Sequence, residues 1–156
     1  MSMQIERARA EDAETIWTVR SNALRTQCAG HYEAELLAAW ANSSAPKGFA
    51  KTVADTFHVI RDDERVVACG LILLETGSIE ALFVDPTAFG KGYGRALLQH
   101  MQTLAQQHGL QRLTLNASLN AVGFYRTCGF TGETPNKHHS PSGFEIDCVA
   151  MEKRLT

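Results

Sequence analysis

The sequence predicts a mixed α/β fold built on a mostly antiparallel central sheet with flanking helices, and three observations carry that reading. β-type runs at 56 to 62, 65 to 76 and 78 to 84 are separated only by Asp62-Asp63-Glu64 and Thr76-Gly77-Ser78, turns short enough to force an antiparallel meander. The run at 78 to 84 is followed by an amphipathic stretch over 92 to 108 and a further β-type run at 111 to 117, and a helix between two strands favours a parallel crossover. A chain of 156 residues with 44% hydrophobic content buries one substantial core, so 1–156 is read as a single domain.

The elements follow in order. Ile5-Glu6-Arg7-Ala8-Arg9 gives a strand near 4 to 9, and a helix is expected over 11 to 26. A second helical segment at 32 to 42 puts Leu36, Leu37 and Trp40 on one face, which reads Trp40 mainly as core. After the meander, the helix at 92 to 108 carries a stripe of Leu97, Met101, Leu104 and His108 and ends at Gly109. Ala121, Phe124, Tyr125 and Cys128 recur at i, i+3, i+4 and i+7, which gives a helix over 119 to 128 with Gly129 as its C′ residue and a strand at 130 to 136. The last strand covers 144 to 153. Its alternation over Phe144 to Met151 suits a homodimer interface and an intrachain sheet equally.

The most informative stretch is residues 82 to 98, where Leu82-Phe83-Val84 runs through Gly90-Lys91-Gly92-Tyr93-Gly94-Arg95 straight into a helix. Glycines hold no side chain between an anion and the backbone, so NH groups at the helix start are free to cradle a pyrophosphate with the helix dipole behind them. Lys91 and Arg95 add positive charge. A Walker loop is disfavoured because Gly90-Lys91 is followed by Gly92 rather than Ser or Thr, and a dinucleotide fingerprint because the spacing is G-x-G-x-G and lies past the middle of the chain. An ordinary structural turn without a ligand is the remaining alternative.

Taken with the later segment Ala121-Val122-Gly123-Phe124-Tyr125-Arg126-Thr127-Cys128-Gly129-Phe130, this loop resembles the GNAT family of acyl-CoA N-acyltransferases; the two motifs together span 79 to 130. The resemblance extends more loosely to the first strand and helix entry and to Phe57 to Leu74, and His31-Tyr32 with Trp40 are similar to a bacterial branch of the family with poorly defined acceptors. One position departs from the pattern: Phe89 stands where the family usually carries Gln or Arg.

The resemblance implies a splayed parallel strand pair and an acetyl-CoA-dependent N-acetyltransferase working by direct transfer in a ternary complex. It places the pantetheine arm along the backbone of Leu82, Phe83 and Val84, the diphosphate on the NH groups of Gly90, Lys91, Gly92, Tyr93, Gly94 and Arg95, and further contacts at Asn116, Ser118 and Asn120. Asn and Ser serve equally as turn and cap residues. Tyr125 falls at the family's proton-donor position; a phenol of pKa about 10 is matched to a thiolate of about 8.5, and the alternative is a core tyrosine on an apolar stripe. Glu80 is the candidate base, acting directly or through water, with a salt-bridged strand-edge carboxylate as the competing reading. His31 and Tyr32 are candidates for lining the acceptor pocket. The implied acceptor is a small-molecule amine, with a protein N-terminus or lysine as the alternative, and a CoA-binding regulatory module without catalysis as the alternative of another class.

Composition narrows the partners. Fifteen basic against seventeen acidic residues give a net charge of −2, which offers no electrostatic support for nucleic acid. The longest apolar run, Val66 to Leu74, is too short to span a bilayer, and Glu6, Arg7 and Arg9 interrupt an early signal core, so no membrane role and a cytoplasmic location are expected. Cys28, Cys69, Cys128 and Cys148 form no C-x-x-C pair and read as free, packed thiols. His138-His139 falls in an expected solvated loop over Thr134 to Gly143 without nearby acidic ligands, so no metal is expected.

Overall fold

The computed structural model describes residues 4–140 and 143–155. One seven-stranded sheet, ordered β1-β2-β3-β4-β5-β7-β6, carries helices on both faces. Its strands are β1 (Ile5–Arg7), β2 (Phe57–Asp62), β3 (Arg65–Leu73), β4 (Ser78–Val84), β5 (Arg112–Ser118), β6 (Thr131–His139) and β7 (Glu145–Arg154). The helices are α1 (Ala13–Gln27), α2 (Ala34–Ala41), α3 (Phe49–Thr56), α4 (Tyr93–Gln107) and α5 (Val122–Thr127), with short 3-10 turns at Ala10–Asp12 and Pro86–Ala88. Among the described residues no helix is long and apolar enough to cross a membrane.

The meander forms as expected. β2 and β3 join through Asp63 and Glu64, both in the left-handed region (φ 51 and 67), the conformation a two-residue hairpin needs to match strand twist. β3 pairs antiparallel with β4, and β4 pairs parallel with β5 through the α4 crossover. All other strand pairs are antiparallel.

Two layers of core flank the sheet. On one face Leu97, Leu98, Met101 and Ala105 of α4 are buried, whereas Leu104 is half-buried and His108 exposed. The buried stripe is therefore rotated from the one read in the sequence. It is set by the close approach of α4 to β3, where a Cβ on Gly70 would stand 3.1 Å from Met101 Cε. On the other face Leu24, Leu37, Trp40 and Ile146 join α1, α2 and β7 in one apolar cluster. An Arg61 guanidinium bonded to both oxygens of Asp12, at 3.0 and 2.6 Å, pins the entry of α1 to β2 and holds the Asp12 carboxyl below its ordinary range.

Several boundaries depart from the sequence reading. α3 was not expected; it buries only Val53 fully and joins Phe49 to Trp17 and Phe57 through edge-on ring contacts. β3 stops at Leu73 and residues 74 to 77 turn, because Gly77 (φ 82) lies under β5: a Cβ there would sit 2.5 Å from the Arg112 carbonyl. The helix at 119 to 128 shortens to α5, and β6 extends through His139. The expected loop from Thr134 is thus largely strand, and His138-His139 belong to it. Pro135 is tolerated because β6 is the edge strand of the sheet. Pro141 and Ser142 of the expected loop lie outside the described residues.

Candidate active site

The site begins with a failure of pairing. β4 and β5 meet only at Ser78↔Thr114 and Ile79↔Leu115; beyond Ile79 they diverge, which leaves the β5-facing edge of Glu80 to Val84 without a strand partner. On its other edge β4 stays paired to β3 as far as Val84, so the open edge is held rigid. The divergence starts at a bulge. Leu71 pairs with Ala81 and Ile72 with Ile79, so Glu80 is the extra residue on β4, and a bulge bends the strand and re-aims the side chain it carries.

Two clefts enter this gap from opposite faces. The first lies between β4, the glycine loop with the start of α4, and α5; Val84, Phe89, Gly92, Gly94, Arg95 and Asn120 border it. The second is walled by Leu24, Trp40, Phe83 and Ile146 and edged by Glu80, Asn116, Ser118, His138 and Cys148. Leu82 and Tyr125 border both, so the clefts meet there.

The glycine loop builds one end of the first cleft. Asp85 caps the 3-10 turn by accepting from Thr87 N (2.9 Å) and Thr87 Oγ1 (2.7 Å), and Gly90 and Gly92 then take φ of 81 and 80. Gly92 is the N-cap of α4, with its carbonyl accepting from Ala96 N at 3.0 Å. The NH groups of Tyr93, Gly94 and Arg95 in the first turn precede that bond and have no intrahelical acceptor. A Cβ on Gly90 or Gly92 would meet nothing within 4 Å, so these glycines are needed for left-handed backbone and not for space. Lys91 is exposed beside the cleft, and Phe89 supplies an apolar wall where the family has a polar side chain.

Tyr125 is buried on α5, its ring edge-on to Phe124 at 5.3 Å and to Phe130 at 5.7 Å. Burial, with a smaller contribution from Cys128, pushes its phenol well above the usual range, so the hydroxyl keeps its proton at every physiological pH. Complete transfer to a free thiolate of pKa about 8.5 is uphill from such a phenol, but a thiolate leaving into the same desolvated gap is also raised, and a hydrogen bond from the hydroxyl stabilises it as charge develops.

The remaining sequence candidates divide between the clefts. Asn120 borders the first, and accepts from Cys28 Sγ at 3.2 Å. Asn116 and Ser118, expected on the cofactor arm, lie on the second; Asn116 Oδ1 accepts from Asn136 Nδ2 at 3.1 Å. Glu80 is exposed at the second cleft and accepts from Ser78 Oγ at 2.6 Å. His31 and Tyr32 border neither cleft. The Tyr32 hydroxyl donates to the Asp147 carbonyl (2.6 Å) and accepts from Leu119 N (3.0 Å), while its ring packs on Trp40 at 5.7 Å. Tyr32 therefore holds the Trp40 wall against β7 and the end of β5. His138 is the functional candidate that sequence reading missed. Its cross-strand partner Ile146 is buried in the second cleft, which puts the imidazole on that same face.

Comparison with known proteins agrees with this geometry. The family model described as acetyltransferase (GNAT) domain matches residues 28–155. This chain belongs to the GNAT acetyltransferase family. It is 34% identical over 133 residues to the peptidyl-lysine N-acetyltransferase YjaB of Salmonella typhimurium, covering 83% of this chain and 84% of that one. It is 33% identical over 106 residues to an IAA acetyltransferase of Azospirillum brasilense, covering 64% and 67% respectively. A GCN5-related N-acetyltransferase structure from Rhodopseudomonas palustris has the same fold, with a TM-score of 0.88 over 99% of both chains at 23% identity. As a GNAT enzyme the protein is an acetyl-CoA-dependent N-acetyltransferase.

Proposed function

We propose that this GNAT enzyme transfers acetyl directly from acetyl-CoA to a primary amine carried on an apolar body, with both substrates bound at once. The observation that carries the reading is the meeting of the two clefts at Leu82 and Tyr125, which gives each substrate its own entrance and one shared point of reaction.

In this reading the pantetheine arm adds to the open edge of β4 along Leu82, Phe83 and Val84, using main-chain groups that β5 leaves unpaired. The diphosphate rests on the first NH groups of α4, with Lys91 and Arg95 beside it. A backbone NH near Val84 polarises the thioester carbonyl, and Tyr125 donates to the departing thiolate. Glu80 receives the acceptor as an ammonium and draws off its first proton through water, from the position the bulge gives it.

The second cleft argues for the acceptor class. Its walls are Leu24, Trp40, Phe83 and Ile146, its carboxylate is Glu80, and among the described residues neither Lys nor Arg borders it. Such a lining suits a cation with an apolar stem and gives a phosphorylated acceptor no counter-charge. A lysine side chain has the same two features, and the named peptidyl-lysine activity of the Salmonella typhimurium relative favours protein lysine as the second reading. The whole chain acts as one domain here, and its four free thiols suit a reducing compartment such as the cytoplasm.

Initial velocities with acetyl-CoA and a panel of primary amines test the reading. Intersecting reciprocal lines and a preference for apolar amines over amino sugar phosphates are expected. Parallel lines would indicate a covalent acyl-enzyme and overturn direct transfer.

A further inference from the structure

Amine acetylation releases two protons from the nitrogen if the acceptor arrives as an ammonium, one before attack and one as the N–C bond forms. Glu80 is placed for the first. The second cleft holds another group for the other.

His138 reaches the cleft through the register of β6 on β7. His138 pairs with Ile146 and Asn136 with Cys148, and Ile146 and Cys148 are both buried facing the cleft, so this face of β6 lies beside the cleft and His138 reaches its rim. Side chains directly opposite in an antiparallel pair share a face. Lys137, between them, points to the other face and pairs with Asp147. The polar and titratable groups that line the cleft with His138 are Glu80 from β4, Cys148 from β7, Tyr125 from α5 and the neutral Asn116 and Ser118 from β5; among the described residues α1 and α2 contribute Leu24 and Trp40. His139 follows it in the strand, with Glu145 beside that second ring at 4.0 Å.

We propose that His138 is a second proton acceptor of the reaction, taking the N–H proton as the neutral amine attacks the thioester, in partnership with Glu80 across the mouth of the cleft. This rests on the acetyl-transfer reading above. The step balances: the amine lone pair forms the N–C bond, the C–S bond breaks, one nitrogen proton passes to an imidazole nitrogen, and the C–S electron pair leaves on the thiolate, which is stabilised by a hydrogen bond from the Tyr125 hydroxyl. Solvent then restores the imidazole, and His138 has a route for this because part of its ring is exposed on the sheet edge.

The environment keeps the imidazole competent. Desolvation in the cleft lowers its pKa below the ordinary value, the neighbouring Glu80 carboxylate raises it in opposition, and His139 lowers it further. The net direction is downward, so at neutral pH the ring is predominantly unprotonated and able to accept. Glu80 stabilises the imidazolium at the moment it forms.

Two measurements on the full chain decide the matter. The first needs no acceptor: the imidazole titration of His138 is followed by NMR in the wild type and in Glu80→Gln. Loss of the carboxylate is expected to move the His138 midpoint to lower pH, whereas an unchanged midpoint would overturn the partnership. The second follows kcat/KM for phenethylamine at saturating acetyl-CoA in the wild type and His138→Gln. A loss of about 100-fold is expected at pH 8, within the range of general-base contributions, narrowing as pH falls through the wild-type midpoint where His138 itself becomes protonated. A pH-independent loss would mean a structural role, and no loss would mean no role; either overturns the inference. Acetyl-CoA titrated into the same samples separates the two levels. Binding retained in His138→Gln leaves the acetyltransferase reading standing when this inference fails, while wild type that binds no acetyl-CoA overturns that reading itself.

Discussion

Between the sheet and α4, away from both clefts, His58 of β2 lies against His100, with ring centroids 5.0 Å apart and planes at 59°. His58 Nδ1 and His100 Nε2 are buried without a hydrogen-bond partner among the described residues. Burial is the main cause that brings the His58 pKa from 6.5 to about 4, with His100 and Arg7 adding repulsion. His100 is lowered as well, by desolvation. The unfolded chain therefore binds a proton at His58 that the folded chain refuses between these two values, so stability is highest above 6.5 and falls as pH drops toward 4. A shift from 6.5 to about 4 corresponds to about 3 kcal/mol once pH is below both values, and about 2 kcal/mol of this is already lost at pH 5. Replacing His58 by Leu removes the titration while keeping an apolar side chain of similar size. Urea unfolding at pH 7 and pH 5 is the assay, with the difference between wild type and His58→Leu cancelling the carboxylates that titrate in both. The variant is expected to lose about 2 kcal/mol less than the wild type over that interval. Parallel losses within about 0.5 kcal/mol would refute the reasoning, since they would show that His58 is protonated in the folded protein as readily as in the unfolded one.

Tyr125→Phe keeps the ring contacts with Phe124 and Phe130 and removes only the hydroxyl. A fall in kcat of about 10²–10⁴-fold is expected in a chemistry-limited assay, with the thermal midpoint nearly unchanged, and an unaltered kcat would remove Tyr125 from the reaction. Tyr32→Phe leaves the Asp147 carbonyl and the Leu119 NH without their partner and is expected to lose about 1–3 kcal/mol in denaturant unfolding. Because that hydroxyl anchors the ring that packs on Trp40, KM for the amine should rise more than KM for acetyl-CoA. Gly92→Ala meets no neighbouring atom, so its cost is the left-handed backbone alone, about 1 kcal/mol. Weaker acetyl-CoA affinity by calorimetry should accompany that small loss, and full affinity would show that the N-cap geometry of α4 is not what binds the diphosphate.

Local signals made much of this legible. The hairpin at Asp63-Glu64, the crossover through α4 and the helix carrying Tyr125 are encoded by neighbouring residues, through turn chemistry and hydrophobic period, and a sequence shows those directly. α3 escaped because it is only eight residues long and runs from Thr56 directly into β2 at Phe57, with no turn residue to mark the boundary. The bulge that aims Glu80 depends on how β4 pairs with β3, a long-range register absent from the residues around Glu80. His138 was hidden by Pro135, which reads as a break within a strand but is harmless on an edge. Alternation of Asn136 and His138 was the available signal, and its meaning required knowing that Cys148 and Ile146 lie opposite. That Asn116 and Ser118 border one cleft and Asn120 the other was not legible, because nothing in a strand sequence says which face of a splayed sheet each side chain will enter.

Calorimetric titration of the folded protein with acetyl-CoA, CoA and ATP in parallel tests the central claim most directly, because it examines the open β4 edge and the α4 cradle without knowledge of the acceptor. The account predicts saturable binding of acetyl-CoA and CoA and none of ATP; a folded sample that binds neither CoA species would contradict it, and the roles given to Tyr125, Glu80 and His138 would fall together.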